Sequence, residues 1–464
     1  MEKNHMNKNA LNENKINILS SNKFIFIVTF FLLIIITSIF TFSFSVFVAQ
    51  ILFATFTIIF INRKFERSAN IYLLIYLVSI SFVFLIYYAN QIYYGSPYYI
   101  GGSDDLNFEK WGIDVYDANL VNPHKVLESG IIGQFHNSPF FAVYMSILIR
   151  FSNIFGEYST FLPRILNVYY LIWICMLLEF LLKKYADFSF RKIKLSIIIF
   201  ALTPNIQFIN AHVFRDTFNL LQIMLIVILF DQLISRNLIL KKLIYIIFLS
   251  FIIFITFYTR TNSLVFSGVL IIFILAVRLK INLHFYLLAI IPFVILSDFT
   301  ELIGLKKFTE IYGSYVQTNA GDGLSRIVFT QPLVPFGIIL RGFYAFITPF
   351  PNFFDLFKEP NKVLFDITML LVYLGVVLQI FAIPFIIKRI FKIDWLSLSF
   401  LIWFLAIIAT TFTFRHILIY YPFLVAVGVD GYILSSKINR KISVFFVGLM
   451  GISLAVIYIS LKFL

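Results

Sequence analysis

The chain has 464 residues, of which 60% are apolar and only 13% charged, with 59 phenylalanines and a formal net charge of +14. Apolar runs near twenty residues recur too often for a soluble fold to bury them, so composition excludes a soluble enzyme and implies a polytopic membrane protein. The single cysteine, Cys175, lies within such a run and excludes a disulfide framework or a cysteine metal cluster. The basic residues flank the apolar runs and form no dense block, which fits topology signals and lipid headgroup contacts, not nucleic acid.

Residues 1–23 form a polar, Asn- and Lys-rich segment with no small-residue cleavage site after the next apolar run, as expected for a retained cytoplasmic tail. Residues 24–464 read as a single all-α transmembrane domain. Its roughly thirteen predicted spans lie at 24–42, 43–61, 71–90, 165–182, 195–212, 216–233, 243–259, 262–277, 282–298, 363–387, 395–413, 417–434 and 443–461. The apolar run from Phe24 to Ile61 is too long for one helix and is expected to break near Thr41-Phe42-Ser43. With the N-terminus inside, most Lys and Arg fall in short inside loops, leaving 91–164 and 299–362 as external regions. In the first of these, Phe108, Trp111, Val115 and Ala118 recur at helical spacing, predicting an amphipathic helix on the membrane surface with aromatic anchors. Pro139 to Phe155 reads as a further helix lying in the interface or dipping into it. A similar segment, from Pro332 through Arg341 to Phe353, is interrupted by prolines.

The first external region also carries Asp104 and Asp105. Neighbouring side chains on a helix point about 100° apart, so one carboxylate can face a site while the other caps the helix. A general base and an N-cap are both open readings. Further polar residues gather at external span ends: Pro204-Asn205, Asn210, His212, Arg215 and Asp216, then Arg260 with Thr261 and Asn262, then Arg415 and His416. Charges near hydrocarbon are costly, so their recurrence on one side suggests a shared polar cavity, and planar guanidinium groups suit a lipid phosphate. For any one arginine the alternative is snorkelling to the interface. Tyr98, Tyr99, Trp111, Tyr312 and Tyr315 could stack on sugar faces, with interfacial anchoring as the alternative. His124, His136 and His212 leave a divalent cation open beside the carboxylates, and His136 is also a candidate acceptor contact; the spacing matches no metal motif. His284 reads as structural. Glu179, Asp231 and Asp430 read as interfacial ion pairs, and Gln50 and Gln222 as helix-to-helix hydrogen bonds.

Several of these stretches carry a resemblance: Gly101-Gly102-Ser103-Asp104-Asp105, Asn137-Ser138-Pro139-Phe140-Phe141 leading to Phe155-Gly156, Leu162-Pro163-Arg164-Ile165-Leu166-Asn167, Pro204 and Arg215-Asp216. Over about residues 71–235 the chain resembles the integral-membrane glycosyltransferases of the C-type (GT-C) fold. The similar group is polyprenyl-phosphate-sugar-dependent and includes the protein O-mannosyltransferases and the lipid A aminoarabinose transferase. The second half is similar only in span layout and in the turn from Arg415 to Pro422. The resemblance implies inverting transfer of a sugar from a lipid-phosphate donor to a glycan or lipid acceptor at the outer face of a bacterial inner membrane. Asp105, or second Asp104, would be the base, Asp216 a further acid, and Arg215, Arg260 or Arg415 the contacts to donor phosphate. Two extra N-terminal spans and the lack of a soluble C-terminal domain depart from the family. The resemblance extends to polymerases of lipid-linked repeat units, and the rival of another class is a lipid-linked glycan transporter or flippase. Transporters place substrate sites near the midplane, often in internal repeats, and no repeat is visible here.

Overall fold

The computed structural model describes residues 24–132, 138–235, 238–282, 328–331, 336–350, 353–410 and 414–463, and among them every regular element is helical. Most of the predicted span at 282–298, together with His136, His284, Tyr312 and Tyr315, lies outside the described residues. The chain divides into two compact units, one of residues 1–176 with Asn210–Phe214, the other of Leu177–Ile209 with everything from Arg215 onward.

The first unit is built from α1 (Phe24–Thr41), α2 (Phe44–Lys64), α3 (Ala69–Tyr94), α4 (Asp104–Asp117), α5 (Pro123–Glu128), α6 (Pro139–Phe155) and the first part of α7 (Phe161–Tyr185). The break between α1 and α2 falls at Phe42-Ser43, where Phe42 takes a φ of 50°. Polar side chains tie the long helices from within. The Tyr76 hydroxyl donates to Gln50 Oε1 at 2.7 Å, Gln50 Nε2 donates to Ser38 Oγ at 2.9 Å, and Trp173 Nε1 donates to Thr57 Oγ1 at 2.8 Å. Such bonds hold helices together where hydrocarbon supplies no hydrophobic drive.

Part of the predicted stripe on α4 packs against protein. Phe108 and Val115 are buried against α6, and the Phe108 ring meets Phe141 edge-on at 5.1 Å. Val115 joins Val126, Ile132, Ala142 and Val143 in a small core against which Trp111 packs. A Cβ at Gly112 would lie 2.5 Å from Met145 Cβ, so glycine is what lets α4 and α6 approach. The apolar face is spent on a protein partner, and Trp111 is a packing residue of that contact.

The second unit contains the rest of α7, α8 (Phe190–Leu202), α9 (Pro204–Asn210, to Ile209), α10 (Asp216–Ser235), α11 (Ile239–Thr259), α12 (Asn262–Arg278), α13 (Ile338–Ile347), α14 (Val363–Ile390), α15 (Trp395–Thr410), α16 (Ile417–Leu434) and α17 (Lys437–Phe463). The expected single span at 195–212 is instead α8 and α9, bent by 56°. Thr203 is extended (φ −62°, ψ 125°) because the ring of Pro204 disfavours helix at the preceding residue, and Pro204 then opens α9. Gln222 donates to Thr259 Oγ1 at 3.2 Å, the helix-to-helix bond expected of it. Asp231 pairs with Lys184 at 2.6 Å, and Asp430 with Lys192 at 2.6 Å and Arg389 at 2.5 Å, as expected of acids beside basic loops.

Among the described residues eight helices are long and apolar enough to cross a membrane, or nine if α8 and α9 form one broken span. The predicted spans at 262–277 and 395–413 are the shorter apolar helices α12 and α15. The distribution of side chains is inverted relative to a water-soluble protein. On α11, Leu243, Ile247, Phe251 and Phe254 face outward, while Ile255, Thr256 and Thr259 are its buried residues. Apolar groups outside and hydrogen-bonded polar groups inside are what a bilayer requires.

Candidate functional site

In the first unit the polar residues gather where a tight turn meets α4. Ile100, Gly101 and Gly102 all have positive φ, and Ser103 is the residue preceding the first turn of the helix. Neither aspartate occupies the N-cap position. Asp105 is wholly buried, its Oδ2 accepting from the Tyr99 N–H at 2.9 Å and its Oδ1 from the Leu106 N–H at 3.1 Å. Arg164, at the start of α7 and also wholly buried, places Nη2 3.9 Å from Asp105 Oδ2. The guanidinium donates to the Pro97 carbonyl at 2.6 Å and the Ala211 carbonyl at 2.8 Å. Asn167 donates to the His212 carbonyl at 3.0 Å, and the Tyr99 ring meets His212 edge-on at 5.4 Å. Arg164 thus bolts three stretches, 97–105, the start of α7 and 210–214, to one carboxylate.

One helical turn beyond Asp105, buried Glu109 accepts the Tyr98 hydroxyl at 2.7 Å. Burial raises the Asp105 carboxyl above its ordinary range, with the Arg164 charge and backbone N–H groups opposing. The Tyr98 and Tyr158 phenols are held up by burial and by the neighbouring Glu109 carboxylate. Asp104, by contrast, is half-buried at the first position of α4. The adjacent acids therefore differ: Asp105 fixes the turn, and Asp104 is the one solvent can reach.

In the second unit Asp216 opens α10, where a carboxylate suits the helix N-terminus, and is only 1% exposed. Arg260, the residue ending α11, reaches Asp216 Oδ1 with Nη1 at 3.3 Å, and Arg415, in the short 3-10 turn before α16, brings Nε to 3.8 Å from Oδ2. The charges of Arg215, Arg260 and Arg415 all act on the buried His416 imidazole. Below them, Ser263 donates to Asn219 Oδ1 at 2.7 Å and ties α12 to α10. Two guanidinium groups, Arg260 and Arg415, therefore share one buried carboxylate, and Arg215 adds a third positive charge beside His416. A surplus of fixed positive charge at helix ends is an arrangement that holds a phosphate.

Four of the predicted residues, Arg215, Asp216, Arg260 and Arg415, come together; Trp111 packs elsewhere, and His136, Tyr312 and Tyr315 lie outside the described residues. Arg164, Glu109, Tyr98 and Tyr158 complete the first cluster without having been given a catalytic role from sequence. The available signal is the cost of an arginine opening an apolar span, which demands a partner. Among the described residues no group of three His, Cys, Asp or Glu could hold a metal. His124 pairs with Glu128 at 3.2 Å on the surface, while His212 is buried beside Asn90.

The fold and its buried charges define a polytopic, all-α membrane protein. No family model matches the chain, and comparisons with curated proteins and with solved structures return no match.

Proposed function

We propose that the protein is an inverting membrane glycosyltransferase of cell-envelope polysaccharide or glycoconjugate assembly. It would move a sugar or oligosaccharide from a polyprenyl-(di)phosphate donor to a glycan or lipid acceptor on the outer face of a bacterial inner membrane. The observation that carries this reading is the pairing of Arg260 and Arg415 with buried Asp216, with the Arg215 charge acting on the same His416 as theirs. The acceptor oxygen attacks the anomeric carbon, the carbon–oxygen bond to the donor phosphate breaks, and the electron pair passes to the phosphate oxygen. The guanidinium groups stabilise that developing charge. The acceptor proton goes to a carboxylate base, and of the adjacent acids Asp104 is the accessible one and the candidate that the variants below test. Asp105 and Arg164 position the turn that carries it. A repeat-unit polymerase uses the same chemistry with a lipid-linked glycan as acceptor.

The bend between α8 and α9 favours a second reading, since interrupted helices recur in transporters. Proteoliposomes loaded with a lipid-linked sugar and an acceptor separate the two. The transferase forms a new glycosidic bond, and Arg260→Gln or Arg415→Gln lowers the rate by roughly 100-fold or more, the usual loss for one transition-state donor. Lipid-linked sugar that crosses the bilayer without any covalent product would establish the transporter instead.

A further inference from the structure

Among the described residues of the second unit, two arginines outside the Asp216 cluster are buried, Arg389 at 3% and Arg341 at 8% exposure. Arg389 pairs with Asp394 and Asp430. Arg341, on α13, makes no carboxylate ion pair among the described residues, and no acid opposes the effect of its burial. Its Nη1 donates to the Ala409 carbonyl at 3.2 Å and its Nη2 to the Phe329 carbonyl at 3.1 Å, while the guanidinium lies 5.0 Å from the Phe329 ring centroid. The buried Nε has no hydrogen-bond partner.

Two carbonyls and a ring orient the guanidinium without cancelling its charge. It does not shed its proton, and a desolvated charge needs compensation. Beside it lies a cavity of about 20 Å³, whose walls also include Tyr344, Ala345, Thr348, Ile408 and Tyr420. One water needs about 10–15 Å³, so the space takes a single particle near that size. A phosphate, a carboxylate-bearing ligand or a lipid chain does not fit. A water there would give Nε a partner and leave the charge as it stands; a monatomic anion answers both needs.

We propose that this cavity binds one small monatomic anion, chloride or a like halide, as the counter-ion of Arg341. The ion would link α13 to the walls supplied by α15 and α16. Neither Arg341 nor the named wall residues belong to the Asp216 cluster, so the site does not rest on the sugar-transfer reading.

The test titrates chloride against gluconate at constant ionic strength, with the purified full chain in detergent, read by melting temperature and by the line width of the chloride NMR signal. Wild type is expected to show a saturable rise in melting temperature and excess line broadening with chloride. Arg341→Gln keeps a donor for the Ala409 carbonyl and loses the charge. It should weaken chloride binding roughly tenfold or more, the loss of one charge-assisted hydrogen bond. Ala345→Val fills the cavity with the charge intact and should also abolish the saturable response. No saturable response in wild type means that the cavity holds water only and overturns the proposal. A wild-type response in Ala345→Val overturns it too, whatever the stability of Arg341→Gln. Loss of the response in Arg260→Gln but not in Arg341→Gln places the anion on the arginine cluster, which overturns the proposal and leaves the sugar-transfer reading standing.

Discussion

Asp105 and Asp104 share a chemistry and differ in surroundings, which gives them opposite expected phenotypes. Asp105 has no exposed surface, and its two oxygens hold the turn at Tyr99 and face Arg164. Asp105→Asn leaves a buried guanidinium without its acid, a change that costs about 3–5 kcal/mol when a buried pair is broken. The expected result is a lower melting temperature and poor membrane accumulation. Asp104→Asn should melt as wild type and lose about 10²–10⁴ in transfer rate, the range for a general base. Equal loss of stability in both variants would show that the two acids do the same job. Asp105 also sets a pH dependence. Its folded-state carboxyl titrates above the unfolded value, so the folded protein holds that proton more tightly. The contribution is fully present below the ordinary carboxylate range and is lost as pH rises through the elevated folded value. Melting temperatures measured from acid to neutral pH should show this decline in wild type and lack it in Asp105→Asn.

At the scale of elements, close helix approach is the feature most open to test. α16 crosses α14 so tightly that a Cβ at Gly431 would lie 2.1 Å from the Phe385 carbonyl oxygen, a backbone atom that cannot rotate aside. Gly431→Ala should therefore destabilise by about 1–3 kcal/mol or more through overpacking. At Gly448, on α17, an added methyl would meet nothing within 4 Å, so Gly448→Ala should be neutral or stabilise by up to about 1 kcal/mol through helix propensity. Thermal melting of the two variants in one detergent makes the comparison, and equal effects would refute the close crossing. Hydropathy and punctuation act locally, so the break at Phe42-Ser43 is legible in the sequence; the stop at Thr203-Pro204 also has a local cause but falls inside the single span expected at 195–212. What α4 does with its apolar stripe is not legible there. Periodicity specifies a face, and only the folded chain specifies that α6 covers it.

For the whole molecule the open variable is orientation, and basic-residue asymmetry predicts it. With Cys175→Ser as background, Asn107→Cys on the exposed side of α4 should react with an impermeant maleimide in intact cells. Asp187→Cys, in the basic loop after α7, should react only after lysis. The reverse pattern would invert the membrane topology and move both polar clusters to the inner face. The same experiment bears on the donor, since a lipid-linked sugar at the outer face needs no soluble nucleotide partner.

By itself the amino-acid sequence determined that this is a membrane protein, where most of its long helices run, and which polar residues stand at their ends. These follow from transfer free energies and backbone rules that depend on neighbouring residues alone. Arg215, Asp216, Arg260 and Arg415 could be named because each is costly where it stands. Only the tertiary structure decided which charges meet. It set Arg164 against Asp105 and brought Arg260 and Arg415 to Asp216. Partners far apart in the chain are chosen by packing, and no local pattern encodes that choice.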